Sequence, residues 1–487
     1  MAKNIPQNPL FASAETLAAL LKQKQLSSSE LLKMTLTRIE EDNPGLNAVV
    51  AFDIERARRE TDEADKRLLA GEGRSLEGLV ITIKDSIDVT GMPSTSGAPV
   101  HKERLPERDA SVVSRLRQAG AIIVGKTNVP IFTGDFQSFN SVYGVTNNPW
   151  NPTRSPGGSS GGAAAAVATG MSAFELGSDF AGSIRWPAHA CGIFGHRPSF
   201  GLVSSRGHVP PAPGATFESD FSVIGPLTRS SEDLALILDI IHGPAALDGI
   251  RPQLPRSIVD DPKELRVAVW ADDADAPVDS SVSEAVRKAA AILAGLGAEV
   301  DETARPAFSF AEEMETFGLF NHAIIASGFP PEVRERLARR AKDFSPDDRS
   351  HRALQARGAQ LDVESWRNLQ LRRAAFEKAW QSFFDTYDVL LCPPAPVAAI
   401  PHDHRPNFHE RTLSVNGIER PYFDFLSWSS LSSLSGLPAS VAPVGVTADG
   451  LPLGVQIISG AGRDLTSIAV AGMLEKFGRG FIPPELA

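Results

Sequence analysis

Only two cysteines, Cys191 and Cys392, occur in 487 residues. They cannot form a disulfide framework in a chain of this size, neither sits in a metal-ligand spacing, and such sparing use fits a reducing cytoplasm. Excess basic charge is missing as well. With 48 Lys and Arg against 59 Asp and Glu the net charge is −11, which argues against a nucleic-acid partner, because phosphate binding needs clustered Lys and Arg. No stretch reaches the roughly 18 uninterrupted apolar residues of a membrane span. The N-terminus, Met1 to Pro9, has no apolar core of an export signal, so neither anchoring nor secretion is expected. Internal repeats and low-complexity linkers are also absent. What remains, 42% hydrophobic and 22% charged residues, is the composition of a globular protein with a large core. The length allows about three average domains, although open α/β sheets often run longer as one unit.

Residues 13–70 read as helices. Ser13 can cap the first, and Ser27-Ser-Ser-Glu30 offers a capping box to a second that carries Leu32, Leu36 and Ile39 on one face. Asn43-Pro-Gly45 is expected to stop that helix. From Asp53 to Leu69 charged residues surround Ile54, Ala57, Ala64 and Leu68, a solvated helix with a narrow buried stripe. Leu79 to Asp85 is then a short β-branched run, a buried strand ending at Lys84. Helix 109–119 leads to a strand at 121–124, and the same alternation returns at 267–270, 281–296, 389–391 and 453–458. Strands alternating with helices predict a parallel or mixed sheet covered on both faces. Residues 305–380 differ: Phe308, Phe310, Phe317, Phe320, Trp366, Phe376 and Trp380 lie among charges on long helical stretches, where aromatic stripes mean core or lid packing.

The compositionally odd segment is 155–170. Ser155-Pro-Gly-Gly-Ser-Ser-Gly-Gly162 opens directly onto an alanine-rich helix, and such a turn lets the backbone approach another group closely. A plain flexible linker would not run into a strong helix former. Phosphate cradling would want a lysine and a hydroxyl after the glycines, where Ala163 and Ala164 stand. Gly157-Gly-Ser159-Ser-Gly161 also matches the nucleophile elbow of α/β-hydrolases, which needs a later acid and histidine. Asp388 or Asp403 with His402, His404 or His409 could serve, and spacing does not exclude them.

A second serine cluster, Gly177-Ser-Asp-Phe-Ala-Gly-Ser183-Ile-Arg-Trp-Pro-Ala188, together with Lys84 resembles the amidase signature family. The resemblance runs through 78–91, 125–128, 143–150, 155–162 and 177–195, and resumes at 436–439 and 450–456; the order and spacing of Lys84, Ser159 and Ser183 fit the family pattern. It implies an α/β fold with one large α/β/α domain over 1–487. A mixed, mostly parallel central sheet would be covered by helices on both faces, with 13–70 as N-terminal helices, 76–245 and 385–478 as catalytic core and 305–380 as a variable substrate cover.

The resemblance also assigns roles: Ser183 the nucleophile, Ser159 a bridging serine on a cis peptide bond, Lys84 the base, and the amides of Phe180, Ala181, Gly182 and Ser183 an oxyanion hole. Thr133, Gly134 and Ser178 correspond to substrate-binding positions. No metal or other cofactor is implied. A serine hydroxyl is a poor nucleophile until a base takes its proton, and a lysine can be that base if burial keeps it neutral. Lys84, at the end of an apolar strand, is placed for this. Asp179 and Arg185 read first as a buried pair bracing the loop, and Cys191 as a small buried side chain. The reaction expected is hydrolysis of a carboxylic amide with a small aryl or alkyl acyl group through an acyl-enzyme on Ser183. Rivals are ester or carbamate hydrolysis and a glutaminase role within a tRNA-dependent amidotransferase, which would require partner subunits. The partner would be a small-molecule amide, with neither nucleic acid nor membrane, in a cytoplasmic monomer or homodimer. The family commonly has threonine and glycine where Phe180 and Ala181 stand, so the loop is expected to run with negative φ at Ala181 and to border an apolar pocket.

Overall fold

Three short strands, Val49–Phe52 (β1), Val80–Lys84 (β2) and Ile122–Thr127 (β3), form a small sheet in the order β1-β3-β2. β2 runs parallel to β3, β1 antiparallel to it, and every residue of β2 is buried. A larger sheet contains Glu175–Asp179 (β4), Phe194–Arg197 (β5), Val223–Thr228 (β6), Arg266–Val269 (β7), Glu299–Asp301 (β8), Val389–Cys392 (β9), Ala439–Val446 (β10) and Pro452–Ser459 (β11), in the order β8-β7-β9-β11-β10-β5-β6-β4. The computed structural model describes residues 8–215, 217–244, 253–259 and 261–485; of the N-terminal segment read above, residues 1–7 lie outside them.

The expected mixed sheet is present, but its parallel share is smaller than expected. In the larger sheet β7 pairs in parallel with β8 and β9, while β11 pairs antiparallel with β9 and β10, as do β5 with β10, β5 with β6 and β4 with β6. Alternating strand and helix signals report which segments are extended, not the direction in which they pair. Side chains alternate across β11: Leu453, Val455 and Ile457 join one core cluster and Ile458 another, so both faces are covered.

Helices Ala14–Lys22 (α1), Ser28–Leu46 (α2) and Ile54–Ala70 (α3) fill the N-terminal region. Ser13 caps α1, and Ser27 and Glu30 form the capping box of α2. α2 does not stop at 43–45. It holds Pro44 within its last turn and ends at Asn47, which adopts a left-handed conformation, because a proline near a C-terminus forfeits one intrahelical bond that Asn43 offsets by its side-chain contacts to Ala48 and Val49. Ser111–Ala119 (α4) precedes β3, and Gly161–Ala168 (α5) and Arg185–Cys191 (α6) are wholly buried. Ser231–Ile241 (α7), Ser280–Gly295 (α8), Leu426–Ser433 (α13) and Asp464–Phe477 (α14) complete the layers. Between α8 and α13 in sequence, Phe310–Ser327 (α9), Pro331–Arg339 (α10), His351–Gly358 (α11) and Val363–Thr386 (α12) form the helical stretch expected at 305–380. Among the described residues no helix is long and apolar enough to cross a membrane.

The two sheets meet at β2 and β4 without a backbone ladder; the Glu175 side chain bridges them. Its Oε1 accepts from Thr82 Oγ1 at 2.9 Å and Thr127 Oγ1 at 2.8 Å, and its Oε2 accepts from the amides of Lys84 at 3.1 Å and Leu176 at 2.9 Å. Burial lifts its pKa to about 7 against the hydroxyls of Thr127 and Thr82. This carboxyl aligns the ends of β2 and β4, and those ends carry Lys84 and Ser178.

Candidate active site

Lys84 is wholly buried, and its Nζ lies 2.7 Å from Ser159 Oγ, 2.7 Å from Ser160 Oγ and 2.9 Å from Ser178 Oγ. The strand's apolar flanks carry the lysine inward, and burial in a poorly solvating interior pushes its pKa down to about 7, against the pull of Asp179 and Glu175. Near neutral pH a large fraction of this amine is therefore uncharged. The Ser159 hydroxyl meets the amine, and among the described residues no histidine hydrogen-bonds to it. Asp388 is engaged with Arg266 and Asp403 with Arg405, so the elbow reading of Ser159 finds no partners.

The loop bearing Ser159 is held from below. Its peptide bond to Gly158 is cis, as the resemblance implied. A Cβ on Gly158 would fall 2.6 Å from the amide nitrogen of Gln137, so only glycine lets the 135–137 segment pack this closely. Ser138 Oγ accepts from the Gly161 amide at 3.0 Å and donates to the Gly157 carbonyl at 3.0 Å.

Ser183 follows β4 in the turn before α6. Its backbone is tied to the first loop, since Ser160 N–H donates to the Ser183 carbonyl at 3.2 Å. Its side chain is half-buried, and among the described residues its hydroxyl makes no hydrogen bond, to Ser159 included. Asp179 and Arg185 set the turn: Arg185 Nε and Nη2 donate to the two carboxylate oxygens at 3.0 and 2.9 Å, and both side chains have zero exposure. Burial opposes the carboxylate's charge, yet Arg185 and Arg197 hold Asp179 well below the usual carboxylate range. Arg185 also reaches Ser432 Oγ at 2.7 Å and Gln456 Oε1 at 2.6 Å, fixing the turn to α13 and β11. This is the bracing role expected of the pair.

One expected oxyanion donor is withdrawn. The Gly182 amide donates to Asp179 Oδ1 at 2.9 Å, because Gly182, at φ +99°, turns its N–H back under the loop. The amides of Phe180, Ala181 and Ser183 have no partner among the described residues. Ala181 is not among the residues at positive φ, as expected, since the neighbouring glycine takes the left-handed conformation. Thr133 and Gly134 lie on the exposed turn after β3, and no hydrogen bond links either to Lys84, Ser159 or Ser183 among the described residues; Ser178, in contrast, reaches Lys84 directly. Cys191 is fully buried, and burial raises its thiol's pKa beyond reach of ionisation at neutral pH. No group of three His, Cys, Asp or Glu among the described residues is arranged to hold a metal ion.

Two neighbours of the amine escaped sequence reading. Ser160 is adjacent to Ser159 and belongs to the same motif, so only geometry separates their roles. His208 lies outside every recognised segment, yet its Nε2 is 2.8 Å from Ser178 Oγ.

The sequence model of the Amidase family matches residues 30–467. The chain is 33% identical to a glutamyl-tRNA(Gln) amidotransferase subunit from Picosynechococcus sp., over 96% of this chain and 98% of that protein. It is 32% identical to the fatty-acid amide hydrolase 2-B of Danio rerio, over 99% and 93%. Among solved structures a bacterial aryl acylamidase of the amidase signature family superposes with a TM-score of 0.78 at 27% identity, covering 96% of this chain and 97% of the other.

Proposed function

The chain belongs to the amidase family, and we propose that it hydrolyses carboxylic amides through an acyl-enzyme on Ser183. The observation that carries this reading is a fully buried amine 2.7 Å from the Ser159 hydroxyl, beside a half-buried serine whose own amide, like those of Phe180 and Ala181, has no partner among the described residues. Neutral Lys84 takes the Ser159 proton as Ser159 takes that of Ser183, whose oxygen attacks the amide carbon. The amides of Phe180, Ala181 and Ser183 bind the oxyanion, an interaction worth about 3 kcal/mol per donor in such sites. The C–N bond then breaks as Ser159 passes its proton to the nitrogen and recovers one from Lys84, so a neutral amine departs. Water hydrolyses the ester, and a carboxylic acid leaves.

The acyl group favoured is aryl or alkyl. Phe180 and Ala181 pack in one apolar cluster with Phe136, Phe221 and Leu426, to which α9 adds Phe317, and an apolar wall gains affinity from carbon rather than charge. In this reading the whole chain works as one cytoplasmic unit, with 305–380 as its substrate cover. Likeness to the amidotransferase protein favours a second reading, a glutaminase that needs partner subunits. The chain purified alone and given aryl amides, esters, carbamates and glutamine separates the two. Release of arylamine without partners is expected; turnover of glutamine alone, and only once the other components of an amidotransferase are supplied, would overturn the reading.

A further inference from the structure

His208 occupies the layer behind the amine. Its Nδ1 lies 2.7 Å from the Pro210 carbonyl. A carbonyl oxygen only accepts, so Nδ1 carries the proton. Burial, with Lys84 nearby, holds the ring neutral, its pKa brought down to about 4. Nε2 is then a bare acceptor, and Ser178 Oγ at 2.8 Å must donate to it; Ser86 Oγ reaches the same lone pair from 3.0 Å. With its proton turned toward His208, Ser178 can meet Lys84 Nζ, 2.9 Å away, only as an acceptor.

The same reasoning accounts for the rest of the amine's shell. A neutral lysine has two N–H bonds and one lone pair. Ser160 Oγ has the Ser178 carbonyl at 3.3 Å as a sink for its own proton, leaving it to accept from Lys84 at 2.7 Å. The Ser178 carbonyl also lies 3.4 Å from Nζ, but the hydroxyls of Ser160 and Ser178 are nearer, at 2.7 and 2.9 Å, and the two N–H bonds are assigned to them. The lone pair is left for Ser159, whose hydroxyl has no other acceptor among the described residues. We propose that His208 is a positioning residue: its tautomer, set by the Pro210 carbonyl, turns the Ser178 hydroxyl away from Lys84 and so reserves the amine's lone pair for Ser159. Without that acceptor the Ser178 proton swings onto Lys84 and competes with the proton that catalysis must move. This role rests on the amide-hydrolase reading above, but the direction of the hydroxyl does not.

Two measurements test it. In wild-type protein carrying 15N-labelled histidine at pH 7.5, the His208 signals, assigned by their loss in His208→Gln, are expected to show a protonated Nδ1 and a bare Nε2; the other neutral tautomer or an imidazolium overturns the proposal even if no variant folds. In arylamide hydrolysis His208→Leu is expected to lower kcat about 10- to 100-fold with KM changed by less than about twofold, the scale of a misdirected proton transfer. His208→Gln, whose amide oxygen can accept from Ser178, should recover to within about threefold of wild type. In a Ser178→Ala background His208→Leu should cost less than about threefold, because a residue acting through another loses its effect with it. Equal losses for Leu and Gln, or an undiminished loss without Ser178, overturn the proposal. A wild-type chain that hydrolyses no amide would instead sink the functional reading and leave the tautomer measurement to judge His208.

Discussion

The buried polar atoms that touch Lys84, and those of the Asp179–Arg185 pair, are engaged, while Arg197 further out keeps Nε and Nη2 without partners among the described residues; in the helical stretch 305–380 several more are unpartnered. No side-chain nitrogen or oxygen of Lys84, Ser159, Ser160, Glu175, Ser178, Asp179 or Arg185 is buried without a hydrogen-bond partner, whereas Glu313 Oε1, His322 Nε2, His351 Nδ1 and Trp380 Nε1 are. The candidate site is a directional network in which each hydroxyl's orientation constrains the next. The helical stretch is held by rings instead: Phe308 lies 5.2 Å from Phe376 and 5.4 Å from Trp380, and Phe320 lies 5.0 Å from Trp366. Ring packing tolerates exchange of shape where a hydrogen-bond chain does not. In the proposed reading the chemistry belongs to the closed network, and 305–380, the proposed substrate cover, is where this chain has room to differ from its relatives.

The most severe break is on the closed side. Ser183→Ala is expected to lower kcat on an arylamide by about 10⁵-fold or more, and Lys84→Ala or Ser159→Ala by about 10²–10⁴-fold. Mass spectrometry of a slowly turned-over substrate should find the acyl group on Ser183 only. Activity surviving Ser183→Ala but not Ser159→Ala would move the nucleophile to the glycine-rich loop.

That network was only half legible in sequence. The family resemblance points to Lys84, Ser159 and Ser183; the structure brings the first two within 2.7 Å and gives the Ser183 hydroxyl no hydrogen bond among the described residues. Local signals also read well: Ser13 and the Ser27–Glu30 box act within one helical turn. What escaped depends on partners far along the chain. Ser178 and His208 meet across 30 positions and Arg185 and Gln456 across 271, and no periodicity encodes such contacts. The engagement of the Gly182 amide escaped although its partner Asp179 lies only three positions away, because no residue pattern states how the carboxylate turns, and here Arg185 turns it. The surplus of antiparallel pairing escaped because strand direction is decided by connections, not by residue pattern.

A second test removes the brace. Asp179→Asn leaves two fully buried arginines, Arg185 and Arg197, without their shared counter-charge, and the expected cost is about 3–5 kcal/mol, read from urea denaturation. The exposed Arg339–Glu335 pair on α10 provides the control: Arg339→Ala should leave the denaturation midpoint where it was. Equal effects would erase the distinction between the two regions.

pH sharpens the contrast further. Only neutral Lys84 can accept a proton, and burial has set its pKa at about 7. The acylation rate should therefore rise with pH, level off above 7 and fall tenfold per unit below, about 100-fold lower at pH 5 than on the plateau. Substituting His402, His404 or His409 should leave the profile intact, and a rate flat from pH 5 to 7 would count against a lysine base. Stability shares the sign. The unfolded lysine titrates near its ordinary value of 10.5 and the folded one near 7, so between those values the unfolded chain binds more protons and stability falls as pH falls.

The smallest effect expected lies where the two regions touch. The Phe180 ring stands edge-on to Phe221 with centroids 5.7 Å apart, and Phe221 meets Phe317 at 5.9 Å and Phe320 at 5.5 Å. Phe180 thus fastens the turn before Ser183 to α9, and in the proposed reading its exposed part borders the acyl group. Phe180→Thr keeps the amide N–H and the negative φ open to an ordinary residue, so hydrolysis should persist. It removes apolar area from the wall, and a loss of about 1 kcal/mol in discrimination, some three- to tenfold in relative kcat/KM, should fall on aryl acyl groups compared with acetyl. A substrate series of benzoyl, phenylacetyl, butyryl and acetyl anilides reads this ranking directly. An unchanged ranking would mean that the ring packs only behind the loop, and a preference of the wild type for asparagine or glutamine amides would mean that the apolar wall does not choose the substrate at all.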